Sequence, residues 1–288
     1  MGTYKEALAS PSGAWSQSVT PAEDPHDNRL LAALGDADWQ RWKPHLEPIS
    51  LKRGQILYAV GQPLQHAFFP TSAIVSLVHT TEAGKSTEFA VVGNDGVVGT
   101  SILLRANTTT SSGSVLIAGQ GLRIGARVIE DEFDRFPSVR DLLLRYTQAL
   151  ITQMTHTAVC YRHHTVDQQV CTLLLHCLDR LRCNEVTVTQ ESLASVLGVR
   201  REGVTLVAGH LRGAGLIRCR RGHIEVLDRV GLEHRCCECY AVVRNEYDRL
   251  LTAVPHAHQA AEHPDVREAE ARRSVSLAPP DEWRDGLD

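Results

Sequence analysis

Side chains suited to metal binding or redox chemistry are concentrated in the second half of the 288-residue sequence, where all eight cysteines follow residue 159. His156, Cys160 and His164 are spaced four residues apart in a segment with helical periodicity, so they share one helix face. Imidazole and thiolate groups at this spacing can bind zinc, and a dimer could supply a fourth ligand. The alternative, which we favour, is that these residues line the end of a helix–helix contact. The sequence therefore predicts no metal and no cofactor.

A second group of thiols, Cys236, Cys237 and Cys239, lies in the stretch EHRCCECY, with His234 close by. Clustered thiols can couple oxidation to a change in binding. They also fall on an apolar helical stripe, which favours buried and reduced thiols. The stripe consists of Leu232, Cys236, Cys239 or Tyr240, Val243 and Tyr247. A metal- or redox-responsive sensor that uses the Cys and His residues of the C-terminal half is the alternative function.

Arginines form a basic segment between residues 199 and 224 of a chain whose net charge is -4. A single acid, Glu202, accompanies them there. A bounded basic patch on an acidic protein is typical of a face that binds nucleic acid, because phosphates attract clustered cations. The arginines are Arg200, Arg201, Arg212, Arg218, Arg220 and Arg221.

The element that must position these arginines is the stretch QESLASVLGVRREGVTLVAGHL, residues 190–211, which predicts two helices separated at Gly198. A helix-turn-helix needs a small residue where the helices approach, here Ala194, and a residue that tolerates the left-handed conformation in the turn. Thr189 is a suitable N-cap. Such spacing can arise by chance in any helical hairpin, but the arginine-rich segment that follows favours the motif. The predicted core comprises Leu193, Ala194, Leu197, Gly198, Val199, Val204 and Val207.

The second helix is expected to begin near Arg200 and to present its first turns to the DNA major groove. Arginine can donate to guanine O6 and N7, and glutamate can accept from cytosine N4. Two short strands around Arg220 and Arg221 predict a wing whose arginines contact phosphates. The predicted DNA-binding residues are Arg200, Arg201, Glu202, Thr205, Leu206, Arg220 and Arg221.

Upstream, short apolar runs alternate with glycine turns between about residues 45 and 128, which predicts a compact β-sandwich or roll. A helical segment at residues 30–46 precedes it.

From Pro137, apolar residues recur every three or four positions and predict one long helix. Its long, narrow stripe is typical of a partner helix and predicts dimerisation, although the stripe could instead pack against its own β-roll. The stripe consists of Val139, Leu142, Leu143, Tyr146, Leu150, Gln153 or Met154, Thr157 and Tyr161.

The predicted fold class is therefore α+β, with an N-terminal jelly-roll-like β-roll, a long dimerisation helix and a C-terminal winged helix-turn-helix. The β-roll sensor domain is placed at residues 28–136, the dimerisation helix at 137–164 and the winged helix-turn-helix domain at 165–252. The segments 1–27 and 253–288, which lack periodicity, are predicted to be disordered tails.

These features together resemble the Crp/Fnr family of transcription regulators over about residues 28–245. The most specific motif is TQESLASVLGVRREGV, in which Arg201–Glu202 matches the family's base-reading Arg-Glu pair. The long helix and the glycine-punctuated strands match the family's dimer helix and cyclic-nucleotide-binding roll. The resemblance implies a homodimer that binds pseudo-palindromic double-stranded DNA, contacts RNA polymerase and responds to a small-molecule effector, whose identity the sequence leaves open.

The corresponding ligand cassette, GTSILLRANTTTSSGSV, departs from the family pattern. Thr100 replaces the glutamate that holds the ribose, and TSSGS lacks the arginine that holds the cyclic phosphate. Arg105 lies in the intervening loop and is a poor substitute. An empty or altered pocket, which could hold an uncharged or weakly charged ligand, is therefore expected rather than a cyclic AMP site. The residues of this degenerate pocket are Gly99, Thr100, Ser111 and Ser112. The family's iron–sulfur mode is also excluded, because no cysteine precedes Cys160.

Other classes lack support in the sequence. No apolar run approaches the ~18 residues of a membrane span, and no signal peptide is evident, which predicts a cytoplasmic protein without a membrane partner. The sequence contains no Gly-x-Ser-x-Gly, His-Glu-x-x-His or P-loop motif, so no enzyme activity is predicted. Gly93, Gly96 and Gly99 form no dinucleotide fingerprint.

Overall fold

The computed structural model describes residues 24–106 and 108–252. The predicted N-terminal tail is described only from residue 24, and Pro25–Asp27 forms a short 3-10 turn. The predicted C-terminal tail, residues 253–288, lies outside the described residues. Within the described part of the chain, no helix is both long enough and apolar enough to cross a membrane.

The first half of the described chain is a β-roll of antiparallel strands, as the alternating apolar runs predict. One sheet has the strand order β1-β7-β3 and the other β2-β6-β4-β5. The strands are β1 (Glu47–Leu51), β2 (Ile56–Tyr58), β3 (His66–Pro70), β4 (Ile74–Thr80), β5 (Ser86–Val92), β6 (Ser112–Ile117) and β7 (Gly119–Gly125). The fold confirms the predicted α+β class with an N-terminal β-rich domain.

Short helices cover the roll: α1 (Arg29–Ala32), α2 (Asp36–Trp42), α3 (Thr100–Leu103) and α4 (Ala126–Arg135). The segment 30–46, expected to be helical, thus forms two short helices with Gly35 between them. Asn28 fixes α1 to the roll, because its side chain accepts from the amides of Leu30 and Leu31 and donates to the carbonyls of Pro70 and Gly96. Most of the buried apolar residues of the roll and of these helices belong to one core.

The long helix α5 (Pro137–His163) begins at the predicted proline. Five residues of the predicted stripe, Val139, Leu142, Leu143, Tyr146 and Leu150, are buried in the core of the chain's own β-roll, which is the alternative packing and not the favoured contact with a partner helix. An apolar stripe shows that a helix face is buried but does not show against what. Met154, the alternative to Gln153 in that stripe, is exposed together with three other residues: Leu144, Ile151, Met154 and Val159 have exposed fractions of 44%, 50%, 37% and 41%. Dimerisation through α5 stays a prediction.

The elements of the C-terminal part are α6 (Val166–Leu181), β8 (Glu185–Val186), α7 (Gln190–Leu197), α8 (Arg201–Gly213), β9 (Ile217–Arg220), β10 (His223–Val226) and α9 (Arg229–Arg235). The three strands form a small antiparallel sheet in the order β8-β10-β9. This part contributes most of a second core, which also includes Ile74, Val91, Leu116 and Ile117 of the roll. Thr165 and Gln168 form a capping box at the start of α6.

The last helix, α10 (Glu238–Leu251), returns to the first half of the molecule. Tyr240 at its start belongs to the C-terminal core, whereas Val243, Tyr247, Leu250 and Leu251 are buried with the roll and α5. Two segments therefore connect the roll to the helix-turn-helix part, one between α5 and α6 and the other between α9 and α10.

Candidate nucleic-acid interface

The helix-turn-helix is built around Gly198, whose φ of 67° is in the left-handed region. The Gly198 amide donates to the Ser195 carbonyl and the Val199 amide donates to the Ala194 carbonyl, as in a Schellman motif. At the other end of α7, the Thr189 hydroxyl accepts from the Ser192 amide at 3.0 Å. These bonds end α7 sharply, so α8 can begin with Arg201 after only three residues.

The residues predicted to form the helix-turn-helix core lie between α6, α7 and α8. Leu193, Ala194, Leu197 and Val204 are all buried, and Val204 has no exposed surface. Burial of these apolar side chains fixes the orientation of α8 relative to α7. The faces of α8 that do not pack in this core are therefore exposed to solvent.

The start of α8 presents the predicted base-reading residues. Arg200, Arg201, Glu202, Thr205 and Leu206 are exposed, and Leu206 is 61% exposed. Among the described residues, Arg200 and Arg201 form no salt bridge. Thr205 is more restricted than its sequence position suggests, because its hydroxyl lies 2.9 Å from the Gln190 side-chain oxygen.

The wing is the hairpin of β9 and β10, which turns at Gly222 with a φ of 78°. Arg220 and Arg221 are exposed at this turn and have no salt-bridge partner in the part of the chain that the structure describes. Arg218, by contrast, pairs with Glu225 across the hairpin at 2.9 Å. The wing thus carries two cations whose charge no neighbouring carboxylate offsets.

Two contacts between the β-roll and the helix-turn-helix were not predicted from the sequence. Arg53, in the turn between β1 and β2, donates to the Ser192 hydroxyl at 2.7 Å. Thr87 of β5 lies so close to the turn that a Cβ atom on Gly198 would stand 3.3 Å from its hydroxyl oxygen. No local pattern indicates contacts between residues more than a hundred positions apart.

A buried polar network also joins the two halves. Arg180 of α6, 3% exposed, forms a 2.8 Å salt bridge with Asp95 in the loop after β5. Its guanidinium donates to the Gln153 side-chain oxygen at 3.3 Å, and that oxygen also accepts from the Tyr247 hydroxyl at 2.8 Å. Burial alone would lower the pKa of Arg180, but Asp95 holds it above its ordinary value.

Glu88 of β5 lies near this network and is itself 3% exposed. Burial raises the pKa of its carboxyl from 4.5 to about 8, although a hydrogen bond from Ser76 and the charge of Arg180 act in the opposite direction. The carboxyl is therefore mostly protonated at neutral pH.

The β-roll contains a cavity of about 360 Å³ at the position of the predicted ligand pocket. Gly99, Thr100 and Ser111 line it, whereas Ser112 is not among the lining residues. No lysine, arginine, aspartate or glutamate belongs to the described lining. Arg105 points its charge elsewhere and pairs with Asp134. Leu150 and Met154 complete the wall, so α5 contributes directly to the cavity.

The cysteines and histidines of the C-terminal half are only partly arranged as their spacing suggests. Cys160 and His164 of α5 lie together with Cys237 and Cys239, whereas His156 is outside this group. A hydrogen bond between the two thiols lowers the pKa of Cys237 and raises that of Cys160. The sequence indicates all four residues, but in two separate groups at least 73 positions apart, and only the fold brings these two groups together.

Comparison with known families identifies two domains in this order along the chain. A cyclic nucleotide-binding domain model matches residues 48–136, and a Crp-like helix-turn-helix domain model matches residues 168–235. No curated protein sequence matches the chain.

Several solved structures share the fold. A regulator of the Crp/Fnr family from Eubacterium rectale is 18% identical, with a TM-score of 0.56 over 73% of this chain and 98% of that one. FixK2 from Bradyrhizobium japonicum is 16% identical, with a TM-score of 0.58 over 67% of this chain and 98% of that one. A Thermus thermophilus regulator of the CRP/FNR family is 21% identical, with a TM-score of 0.53 over 68% of this chain and 98% of that one. At these identities the likeness shows the fold, and together with the two family models it confirms the resemblance found in the sequence: the chain belongs to the Crp/Fnr family of transcription regulators.

Proposed function

We propose that this protein is a cytoplasmic, homodimeric regulator that binds a pseudo-palindromic DNA site under the control of a small molecule. The observation that carries the proposal is the exposed start of α8, where Arg200 and Arg201 form no salt bridge within the described residues. Arginines that are free of carboxylates keep their full charge for DNA. The alternative of a metal- or redox-responsive sensor that makes no contact with DNA is not favoured, because the helix-turn-helix is complete.

In this proposal α8 enters the major groove with Arg201 and Glu202 against base edges. Arg201 is suited to guanine and Glu202 to cytosine N4. Thr205 is held by Gln190 and therefore contributes mainly to the orientation of α8 on α7. Arg220 and Arg221 of the wing contact phosphates, which adds affinity without base preference.

The exposed row of α5 is the proposed dimer contact. Leu144 and Ile151 are seven residues apart and Met154 follows three later, which is the spacing of a helix–helix seam. A second copy of the chain would cover these apolar side chains and hold two α8 helices about one DNA turn apart. Contact with RNA polymerase is part of the proposal through the family alone.

The effector is proposed to occupy the 360 Å³ cavity of the roll. Because the described lining contains no lysine or arginine, a cyclic phosphate would lose its hydration without an ionic partner from either residue type. We expect calorimetry to show no saturable binding of cyclic AMP or cyclic GMP up to about 0.1 mM. Micromolar affinity for either nucleotide would contradict this assignment of the pocket.

Selection of sites from random double-stranded DNA tests the proposed interface. Wild-type protein should select two inverted half-sites about one helical turn apart. Arg201→Ala should lose ~1–3 kcal/mol of specific binding and relax the preference at one base pair per half-site. Arg220→Ala should weaken binding to all sequences alike and reduce the salt dependence by about one phosphate contact.

Arg249→Ala is the matched control, because it removes the same charge from α10, where Arg249 pairs with Glu246 at 2.8 Å. It should leave both affinity and consensus unchanged. Equal, sequence-independent losses in the Arg201 and Arg220 variants would show that the assigned roles are wrong.

A further inference from the structure

Four side chains with metal-binding atoms converge where the roll meets the helix-turn-helix part. Cys160 lies in the last turn of α5 and His164 is the C-cap residue directly after that helix, whereas Cys237 is the N-cap of α10 and Cys239 lies in its first turn. Their thiol sulfurs and an imidazole nitrogen all lie within 4.8 Å of one another. The three cysteines are nearly fully buried, with 2–4% exposure, and the His164 side chain is 15% exposed.

The separations fit a tetrahedral cation. A zinc ion bound to thiolates at about 2.3 Å and to imidazole at about 2.0 Å places neighbouring ligand atoms roughly 3.5–3.8 Å apart. The sulfurs of Cys160 and Cys237 are 3.5 Å apart, and the Cys239 sulfur is 3.7 Å from His164 Nδ1. Only small shifts of the side chains are needed to bring all four atoms onto one ion.

The surroundings orient the ligands as in known metal sites. The other ring nitrogen of His164, Nε2, lies 3.3 Å from the Glu238 carboxylate, and a ligating imidazole commonly donates its second N–H to a carboxylate. The Gln169 amide donates to the carbonyls of Cys160 at 3.3 Å and of His164 at 2.9 Å. The end of α5 that carries two of the ligands is thereby held in place.

Charge also favours a cation over three isolated thiols. Three buried thiolates in contact would repel one another strongly, whereas a divalent cation offsets their charge. A Cys160–Cys237 disulfide is the competing product, but it would use two of the four groups and would leave the imidazole and its carboxylate partner unexplained.

We propose that Cys160, His164, Cys237 and Cys239 bind one thiophilic divalent cation, for which Zn²⁺ is the probe. The ion would join the segment between α5 and α6 to the segment between α9 and α10, which are the two connections between the roll and the helix-turn-helix part. It would thus fix the orientation of α7 and α8 relative to the roll. This orienting role of the ion rests on the proposed function, whereas the metal site itself does not.

The site is tested on the full chain, purified under reducing conditions without chelator, freed of metal and then titrated. Wild-type protein should bind one Zn²⁺ per chain in competition with a chromophoric chelator, and Co²⁺ should give the visible absorption of a tetrahedral, thiolate-bound ion. Cys237→Ser and His164→Ala should each lower the affinity at least 100-fold. Glu238→Gln, which keeps all four ligands, should lower it 10–100-fold.

Cys171→Ser is the matched control, because Cys171 is a buried thiol of α6 outside the cluster, and it should bind metal like the wild type. Circular dichroism checks that each variant folds. The Co²⁺ spectrum of the wild-type protein tests the site even if a variant does not fold. An octahedral Co²⁺ spectrum, less than a tenth of an equivalent of tightly bound Zn²⁺, or unchanged affinity in the ligand variants would overturn the site. Free thiols that appear only after treatment with a reductant, and not after treatment with a chelator, would identify the Cys160–Cys237 disulfide. That result would also overturn the metal site.

DNA binding is measured separately on the metal-free and Zn²⁺-loaded protein. A change of five-fold or more in affinity supports the orienting role of the ion, and no change overturns that role while leaving the metal site in place. Absence of DNA binding in both forms, with stoichiometric zinc, contradicts the proposed function and not the site.

Discussion

Replacing Asp95 with asparagine tests whether the buried pair with Arg180 holds the two halves of the chain together. The change keeps the shape of the side chain and removes its charge. Asp95 accepts from the Gly93 amide with one oxygen at 3.2 Å and pairs with Arg180 through the other, and asparagine has only one acceptor oxygen for these two partners. Arg180 would then keep a buried positive charge with no negative salt-bridge partner among the described residues, and with neutral acceptors such as the His176 carbonyl and the Gln153 side-chain oxygen, at 3.0 and 3.3 Å. An uncompensated buried charge of this kind costs about 3–5 kcal/mol of stability.

That loss is large beside the total stability of a typical domain, about 5–15 kcal/mol. Urea unfolding at pH 7, followed by circular dichroism, should therefore show a lower midpoint for Asp95→Asn. Because Asp95 belongs to the roll and Arg180 to α6, we also expect the single transition to broaden or to separate into two. Asp134→Asn is the control: its pair with Arg105 lies at the surface, where solvent screens the attraction, so this variant should unfold at the same urea concentration as the wild type.

A double variant, Asp95→Asn with Arg180→Met, distinguishes the charge from the packing. Removing both charges should restore part of the stability lost by Asp95→Asn alone, since no unpaired charge remains. A loss below about 1 kcal/mol in the single variant, or a double variant no more stable than the single one, would refute the proposed role of the pair.

Two further predictions concern single side chains. Leu206→Arg should raise the preference for guanine at the facing base pair by ~1–3 kcal/mol in a selection from random DNA, because leucine can only pack on a thymine methyl; an unchanged consensus would mean that residue 206 does not face the bases. The second concerns Glu88, whose folded pKa of about 8 lies above its ordinary value of 4.5, so between these values the folded chain holds a proton that the unfolded chain releases. As the pH rises over this interval, the contribution of Glu88 to the free energy of unfolding should fall by up to about 1.4 kcal/mol per pH unit. Glu88→Gln should therefore make the free energy of unfolding, measured by urea titration, depend less steeply on pH. Arg180, Tyr161 and Cys177 act electrostatically on the same carboxyl and are unchanged in the variant, so equal slopes in both proteins would contradict the assignment.

The helix-turn-helix could be predicted from the sequence because its determinants are local. Thr189, Ala194 and Gly198 each have a required backbone or packing role within ten residues, and their order specifies the motif. The strands of the roll were likewise predictable from alternation and glycine turns. Local periodicity indicates which face of an element is buried, and the first part of the predicted α5 stripe is indeed buried.

What could not be predicted is which elements face one another. The first part of the α5 stripe packs on its own roll, whereas Leu144 and Ile151 are exposed in a row that is too sparse to give a clear periodic pattern. The sequence indicates Cys160 with His164 and Cys237 with Cys239 as two separate groups, and only the fold brings these groups together. The same holds for Arg180 and Asp95, since neither residue has a sequence pattern that indicates a buried partner.

Strand β5 has a consequence for how a bound effector could act. Phe89 lines the cavity of the roll, and Thr87, two residues earlier on the same strand, lies against the turn at Gly198. The pairing of β5 with β4 shifts register at Phe89, but Thr87 is paired with His79 of β4, which also lines the cavity. A molecule in the cavity would therefore contact the residue that is paired with Thr87, so the cavity and the turn at Gly198 share one pair of strands. If the function is as proposed, a response of α8 that is carried by these strands would not require a second copy of the chain.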